Sequence, residues 1–215
     1  MEAFAWGKKP AKTAQWYPAV KRGQDALLAL AGLVLLWPLF LLISIVIFLD
    51  SPGASPVFLQ QRVGKDGKKF TLFKFRTMHP NAEALLPQLL PQNEMDGPVF
   101  KIKNDPRITR FGGLLRRSGL DELPQLWNVL RGEMSLVGPR PALPRETDQY
   151  GPYERQRLGI RPGITCYWQI QPNRNAMSFD AWMELDMRYL RERSILTDWK
   201  ILFATLRAVL RMDGQ

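Results

Sequence analysis

The sequence predicts an α+β protein, mostly helical, with a membrane-embedded re-entrant helix at the N-terminus, a small β-hairpin and amphipathic interfacial helices. Three observations lead to this class. Residues 27–49 form an apolar run of 23 residues without a charge, two β-rich segments follow it, and most of the remaining chain has apolar residues at helical spacing. With 215 residues, 46% of them hydrophobic, the chain is long enough to build one core behind the apolar run.

The apolar run is long enough to cross a bilayer as a straight helix, because about 20 residues suffice at ~1.5 Å each. Pro38 lies in its middle, and a proline removes a backbone donor and clashes with the preceding turn, so we expect the helix to be broken there. Basic residues flank both ends of the run: Lys8, Lys9, Lys12, Lys21 and Arg22 before it, and Arg62, Lys65, Lys68 and Lys69 after it. Positive charge on both sides is typical of cytoplasmic loops, and it favours a re-entrant helix at about residues 22–49 over a kinked transmembrane helix or a buried core helix.

This topology divides the chain into an N-terminal segment, residues 1–50, and a cytoplasmic domain, residues 51–215. The first element expected in the domain is a β-hairpin. Residues 57–63 and 70–78 are rich in Val, Phe, Thr and Leu, and they flank a turn that contains Asp66-Gly67.

Helices are expected in the middle of the domain. Four prolines between residues 80 and 98 predict a loop with one helical turn at 82–86. Asp105-Pro106 then opens a basic amphipathic helix that extends through Arg117. In the next helix, Leu123, Leu126, Trp127 and Leu130 follow the i, i+3, i+4, i+7 pattern, with Asp121 as the predicted N-cap and Gly132 after the end.

The last third of the chain predicts two turns and two helices. Residues 138–141 (GPRP) and 161–163 (RPG) are turns that hold arginines on restricted backbone. Two apolar stripes then mark the helices: Phe179, Trp182, Met183, Met187 and Leu190, and Trp199, Leu202, Phe203, Leu206, Val209 and Leu210. The second helix also carries Lys200, Arg207 and Arg211, which suits an interfacial helix and a core-packing helix equally.

The charge of the chain and its few Cys and His residues limit the kinds of partner and catalytic site that it can have. Thirty Lys and Arg against twenty Asp and Glu give a net charge of +10, which favours a polyanionic partner: nucleic acid, anionic lipid or a phosphorylated substrate. One cysteine, Cys166, and one histidine, His79, exclude an internal disulfide, a cysteine metal cluster and a histidine-rich metal site. Acid–base work therefore falls to carboxylates and lysines.

The segment 115–141 carries the strongest chemical signal. Asp121 at a helix N-terminus is expected to stay ionised and available as a nucleophile, with Arg116 and Arg117 as countercharge. Carboxylates act as covalent nucleophiles on phosphoryl groups, and Arg, Lys or Mg²⁺ neutralise the charge in such reactions. Glu122 is placed to bind that metal or to manage a proton. The alternative is an ordinary N-cap followed by a first-turn acid.

Four motifs behind the proline-containing apolar segment resemble the bacterial sugar transferase family, the monotopic phosphoglycosyl transferases that act on polyprenyl phosphate. The resemblance covers about residues 21–211. The motifs are KFRTM (74–78), DPRITRFG (105–112), LDELPQLWNVLRGEMSLVGPRP (120–141) and RPGIT (161–165). The resemblance implies a short, catalytic-domain-only member at the bacterial cytoplasmic membrane, with its catalytic domain on the cytoplasmic face and no nucleic-acid partner.

The resemblance also implies a mechanism and a set of site residues. Asp121 would be the nucleophile of a covalent phosphosugar intermediate formed from a UDP-sugar, and Glu122 would complete an Asp-Glu dyad that holds Mg²⁺. UMP would leave first, and undecaprenyl or another polyprenyl phosphate would then attack the intermediate. Lys74, Arg76, Arg116 and Arg140 match family residues near the phosphates, and each also has a structural interpretation as a cap or a cover for apolar surface.

The chain departs from many family members at two places. Trp37-Pro38 stands where many have Ser-Pro, and Cys166-Tyr167-Trp168-Gln169-Ile170 stands where many have Gly-Trp-Ala-Gln-Val. The second departure is where we expect sugar or nucleotide preference to differ. Two other hypotheses stay open: a non-catalytic, membrane-anchored basic module that binds anionic lipid or nucleic acid, and a transferase in which Asp121 only holds Mg²⁺.

Overall fold

The structure, a computed structural model, describes residues 14–171 and 177–210. Its helices are α1 (Tyr17–Asp50), α2 (Ala82–Leu89), α3 (Arg110–Ser118), α4 (Gln125–Arg131), α5 (Pro144–Thr147), α6 (Pro152–Arg155), α7 (Phe179–Glu192) and α8 (Ile195–Leu210). Its strands are β1 (Val57–Val63), β2 (Lys69–Phe75), β3 (Ser135–Val137) and β4 (Gly163–Thr165). The predicted class, α+β and mostly helical, is confirmed. The sequence features at Lys8, Lys9, Lys12 and Arg211 lie outside the described residues.

Helix α1 is continuous over 34 residues and has Pro38 inside it. The predicted break is therefore corrected: the proline removes one backbone donor, but helical turns continue on both sides of it. The helix also starts earlier than predicted, with Pro18 in its first turn, where proline needs no donor. Among the described residues, α1 is the one helix long and apolar enough to cross a membrane.

One face of α1 packs inward in two places, before and after Pro38. Asp25 and Ala29 are buried in the first half and Ile43 and Ile47 in the second, whereas residues 30–42 are exposed or only partly buried. The opposite face exposes large apolar side chains: Leu27, Leu30, Val34, Leu35, Trp37, Leu41, Leu42, Ile45, Phe48 and Leu49. Such a continuous exposed apolar surface needs a cover of lipid or protein.

The predicted β-hairpin is confirmed. Strands β1 and β2 pair antiparallel from Val57–Phe75 to Val63–Lys69, and Asp66 takes a positive φ of 56° in the turn. Strand β2 ends three residues earlier than predicted. The ladder stops because the Thr77 carbonyl accepts from the Thr109 amide at the start of α3.

A second sheet was missed by the sequence analysis. Strands β3 and β4 pair in parallel, and they join the two segments that the sequence predicted as turns. The Gly163 amide donates to the Pro139 carbonyl at 2.8 Å, and a Cβ on Gly163 would lie 2.1 Å from the Gly138 nitrogen. The close approach of these two glycines holds the two arginine-bearing turns together.

The helices before and after Asp121 begin at residues other than the predicted ones. Helix α3 starts only at Arg110, because the Thr109 hydroxyl accepts from the Gly112 amide and Asp105 is engaged by Arg107 instead. Helix α4 starts at Gln125, and Asp121 lies in a separate 3₁₀ turn, Leu120–Glu122. Asp121 is thus not the N-cap of α4. The predicted helix end at Gly132 is confirmed, with a positive φ of 81°.

The two C-terminal helices are confirmed. Helix α7 buries Phe179, Trp182, Met183 and Met187 in the core. Helix α8 buries Asp198 and Ile201 near its start but leaves Phe203, Leu206 and Leu210 exposed. It therefore combines a packed start with an uncovered apolar end.

Candidate active site

The 3₁₀ turn after α3 places two adjacent carboxylates against strand β2. The Lys74 ammonium donates to Glu122 Oε1 at 2.9 Å and lies 3.8 Å from Asp121 Oδ2. Gly119, with a positive φ of 70°, ends α3 and turns the chain so that these carboxylates point back toward the hairpin. The structure thus brings together three of the predicted site residues.

Asp121 is buried, with 8% of its surface exposed. Burial raises the pKa of Asp121 to about 6, Lys74 lowers it, the neighbouring Glu122 raises it and Arg116 lowers it. The expected stabilisation of this carboxylate by a helix end is outweighed by its desolvation. Asp121 is still mostly ionised at neutral pH, where an ionised carboxylate with a pKa near 6 is more basic, and hence more nucleophilic, than an exposed one.

Arg116 is the second cation that acts on Asp121. Its Nε donates to the Thr77 hydroxyl at 2.9 Å, which fixes the guanidinium. Burial lowers the pKa of Arg116, while the charge of Asp121 raises it, so the two groups interact electrostatically. Arg117, predicted as a second countercharge, is exposed.

Two of the predicted phosphate-binding residues do not contact the carboxylate pair. Arg76 donates to the Ser55 carbonyl at 2.7 Å and lies over the Phe58 ring. Arg140 lies 3.4 Å from Glu146 Oε2 and over the Trp182 ring. Both arginines have structural partners, so a phosphate role for them requires a substrate that reaches beyond Asp121.

Arg62, which the sequence analysis counted only as flanking charge, is part of this neighbourhood. It is buried on β1, and its Nη1 donates to the Pro141 carbonyl at 2.8 Å. Burial lowers the pKa of Arg62 to about 9, Arg140 lowers it further, and Glu146 and Glu122 raise it. Arg62 therefore interacts electrostatically with Arg140 and with Glu122 of the carboxylate pair. No sequence signal indicated its burial, because successive side chains of a strand point to opposite faces and the neighbouring Val63 is buried too.

Asp121 and Glu122 suit Mg²⁺ in their chemistry. Mg²⁺ prefers hard carboxylate oxygens and is usually bound by one or two of them together with water and substrate phosphates. An oxygen of each carboxylate lies within 4 Å of the Lys74 ammonium, so the two side chains approach the same cation. No group of three His, Cys, Asp or Glu side chains that could hold a metal ion occurs among residues 14–171 and 177–210. Water and substrate phosphates would supply the remaining ligands of a Mg²⁺ held by this pair.

The residues that flank the carboxylate pair pack against the apolar helix. Leu120 and Leu123 pack against a cluster that includes Ile43 and Ile47 of α1. The exposed apolar face of α1 is therefore the opposite side of the same helix that supports the site.

The fold and site define a class: a helical α+β protein with a buried carboxylate between Lys and Arg, mounted on a long helix with an uncovered apolar face. A sequence model described as bacterial sugar transferase matches residues 16–212. The chain belongs to the bacterial sugar transferase family.

Three similar proteins illustrate the relationship. The UDP-galactose-lipid carrier transferase of Erwinia amylovora is 41% identical over 91% of this chain and 41% of its own length. The UDP-glucose:undecaprenyl-phosphate glucose-1-phosphate transferase of Xanthomonas campestris is 38% identical over 91% of this chain and 40% of its own length. The exopolysaccharide production protein ExoY of Sinorhizobium fredii is 41% identical over 90% of this chain and 87% of its own length. The chain thus spans about two fifths of the first two relatives and most of the third.

Proposed function

We propose that this protein transfers a sugar 1-phosphate from a UDP-sugar to a polyprenyl phosphate, giving a polyprenyl-diphosphosugar and UMP. The observation that carries the proposal is the buried Asp121 carboxylate, which interacts with the charges of Lys74 and Arg116 and whose flanking residues Leu120 and Leu123 pack against the apolar helix α1. A phosphorylated lipid and a nucleotide sugar need to meet at such a place, where charge neutralisation and an apolar surface adjoin. The names of two relatives include such substrates.

The reaction proceeds in two displacements at the same phosphorus. An Asp121 oxygen attacks the sugar-bearing phosphorus, the bond to the bridging oxygen breaks, and UMP leaves with the electron pair. A phosphate oxygen of the polyprenyl phosphate then attacks the aspartyl-phosphosugar, and the Asp121 carboxylate is released. Lys74 and Arg116 offset the charge that builds up on the phosphoryl oxygens. Mg²⁺, when held by Asp121 and Glu122, would add further charge neutralisation.

The packing of α1 supports a helix that enters and leaves on the cytoplasmic side. The same domain contacts Ala29 in the first half of the helix and Ile43 and Ile47 in the second half. A helix crossing the bilayer would carry the domain, with its charged site, into the hydrocarbon. Lipid on the exposed apolar face of α1, with the domain on the opposite face, would cover both surfaces, and this supports a site at the cytoplasmic face of the membrane.

Intact-mass analysis tests the covalent route. The purified protein, incubated with Mg²⁺ and a UDP-sugar but without lipid acceptor, should gain the mass of one phosphosugar, and Asp121→Asn should gain none. Addition of undecaprenyl phosphate should remove the added mass. UMP release with no adduct under the same conditions would favour the alternative in which Asp121 only holds the metal.

Assays with a panel of UDP-sugars then distinguish the transferase hypothesis from the binding-module hypothesis. The proposal requires UMP release with at least one sugar in the presence of undecaprenyl phosphate, and its loss in Asp121→Asn. If no sugar is turned over in detergent or in lipid, the alternative of a basic module that binds anionic lipid or nucleic acid becomes the better description.

A further inference from the structure

A pocket of about 90 Å³ lies outside the carboxylate site, since neither Asp121 nor Glu122 is among its described lining residues. Its described lining includes three aromatic residues, Phe100, Trp168 and Trp182, and two cations, Lys101 and Arg140. The remaining described lining is apolar: Met95, Val99 and Met177. The pocket therefore combines flat aromatic walls with positive charge.

One wall of this pocket is a loop that is fixed by its own hydrogen bonds. The Asn93 side chain donates to the carbonyls of Met95 and Val99 and accepts from the Lys101 amide at 2.8 Å. Asp96 accepts from the Phe179 amide at 2.7 Å, which attaches the loop to the start of α7. The wall is thus built in the structure without a ligand to order it.

The opposite wall contains two indole groups without partners. Trp168 and Trp182 are 8% and 5% exposed, and their ring centroids lie 4.7 Å apart. The N–H of each ring is buried and has no hydrogen-bond partner among the described residues. A buried donor without a partner is unfavourable, so an acceptor on a bound molecule would be favoured here.

Arg140 supplies positive charge to the pocket wall. Its guanidinium lies over the Trp182 ring at 5.4 Å. The carbonyl of the next residue, Pro141, accepts from Arg62 Nη1 at 2.8 Å, so a second cation lies at the same turn. Positive charge at this turn favours a phosphate group of a molecule bound in the pocket.

We infer that this pocket holds the uracil ring of the nucleotide sugar, with Trp168 as a specificity-determining residue. The inference rests on the proposed function, since it concerns the donor substrate of that reaction. In a UDP-sugar attacked at the sugar-bearing phosphorus, the second phosphate and then the nucleoside extend away from the attacked atom. Arg140 is placed for that second phosphate and the aromatic pocket for the base beyond it.

The chemistry of the lining favours the base over the sugar. The polar side-chain groups among the described lining residues are all donors: Lys101, Arg140 and the two indole N–H groups. Uracil offers two carbonyl acceptors on a flat ring that can stack on an aromatic side chain. A sugar carries several hydroxyls that each need acceptors as well as donors, and no carboxylate or amide side chain is among the described lining residues.

Direct binding of UMP to the full chain in detergent tests the inference. Trp168→Ala removes the ring, and Trp168→Phe keeps its packing but removes the N–H. Loss of base stacking should weaken UMP binding about tenfold in Trp168→Ala, and loss of one hydrogen bond about threefold in Trp168→Phe. Trp199→Phe, on α8 and outside the pocket, is the matched control and should bind UMP as the unmodified protein does.

Turnover of UDP-glucose and UDP-galactose tests whether Trp168 recognises the base or the sugar of the donor. We expect the ratio of their kcat/KM values to stay constant in both Trp168 variants. Unchanged UMP binding in Trp168→Phe and in a folded Trp168→Ala would overturn the inference, and a changed sugar ratio with unchanged UMP binding would assign the pocket to the sugar. If Trp168→Ala does not fold, Trp168→Phe decides. UMP binding by a protein that turns over no UDP-sugar would contradict the proposed function but not the uracil pocket.

Discussion

Two buried aspartates in this protein have opposite surroundings. Asp198 is fully buried and accepts hydrogen bonds from the Tyr17 hydroxyl at 3.0 Å, the Lys21 ammonium at 2.9 Å and the Tyr189 hydroxyl at 2.7 Å. Asp121 accepts none from a described side chain, and its nearest described cation, Lys74, is 3.8 Å away. A carboxylate with all its acceptor positions filled holds structure together, whereas one that is buried but unfilled is available to react.

The surroundings of Asp198 also explain how the apolar helix is attached. Tyr17 and Lys21 belong to the first turns of α1, Tyr189 to α7 and Asp198 to α8. One carboxylate therefore joins three helices at the end of α1 that precedes the apolar run. The comparison predicts that the two aspartates respond to the same substitution in different ways.

The largest expected effect is on catalysis. Asp121→Asn removes the nucleophile but keeps its shape, so UMP release should fall at least about 1,000-fold. Its free energy of unfolding should not decrease, because burial disfavours the Asp121 carboxylate more than Lys74 and Arg116 stabilise it, as its raised pKa indicates. Parallel measurement of UMP release and urea unfolding in detergent checks both. A large loss of stability in this variant would show that Asp121 is a structural residue like Asp198.

Asp198→Asn should lose stability but keep the ability to react. Removing one partner of a buried ion pair leaves the other unpaired, so the free energy of unfolding should fall by about 3–5 kcal/mol. Asp66→Asn, which changes an exposed carboxylate near Lys65, is the control and should stay within about 0.5 kcal/mol. Molecules of Asp198→Asn that stay folded should still form the phosphosugar adduct. An unchanged free energy of unfolding in Asp198→Asn would mean that the junction of the three helices contributes little to stability.

Lys74 determines the pH range in which Asp121 can react. Asp121 must be ionised to attack, so kcat/KM should fall as the pH decreases through its pKa of about 6. Lys74 lowers that pKa, so in Lys74→Met the pKa of Asp121 should be higher and the acid limb of the pH profile should move to higher pH. Lys74→Arg, which keeps the charge, is the control. If the acid limb of Lys74→Met lies at the same pH as that of the unmodified protein, Lys74 does not influence the ionisation of Asp121.

The sequence predicted the secondary-structure elements around the site better than it predicted the geometry of the site. Local patterns were sufficient for the hairpin, α7, α8 and the Asp121 region, because each depends on neighbours in the chain. The pairing of β3 with β4 depends on two glycines from distant segments, Gly138 and Gly163, which look like ordinary turn residues in the sequence. The raised pKa of Asp121 was missed for the same reason, since the burial that causes it comes from tertiary packing.

The prediction with the smallest expected effect concerns Pro38 and the topology of α1. The inward face packs against the domain on both sides of Pro38, and this packing favours a helix that stays with the domain, although α1 continues through the proline. Pro38→Ala restores the missing backbone donor and stabilises the helix by up to about 3 kcal/mol, which would favour a membrane-crossing helix without abolishing the packing.

We therefore expect only a part of the Pro38→Ala molecules to change topology. Cysteines placed at Lys9 and Lys65 should react from the cytoplasmic side alone in the otherwise unmodified protein, where Cys166 is buried and silent. In Pro38→Ala, a minor fraction should react at position 9 from the opposite side, and Trp37→Ala, which keeps the proline, should show none. Labelling from the cytoplasmic side alone in Pro38→Ala would mean that the inward face of α1 suffices to keep both ends together. Labelling of positions 9 and 65 from opposite sides without any substitution at Pro38 would instead rule out the re-entrant helix.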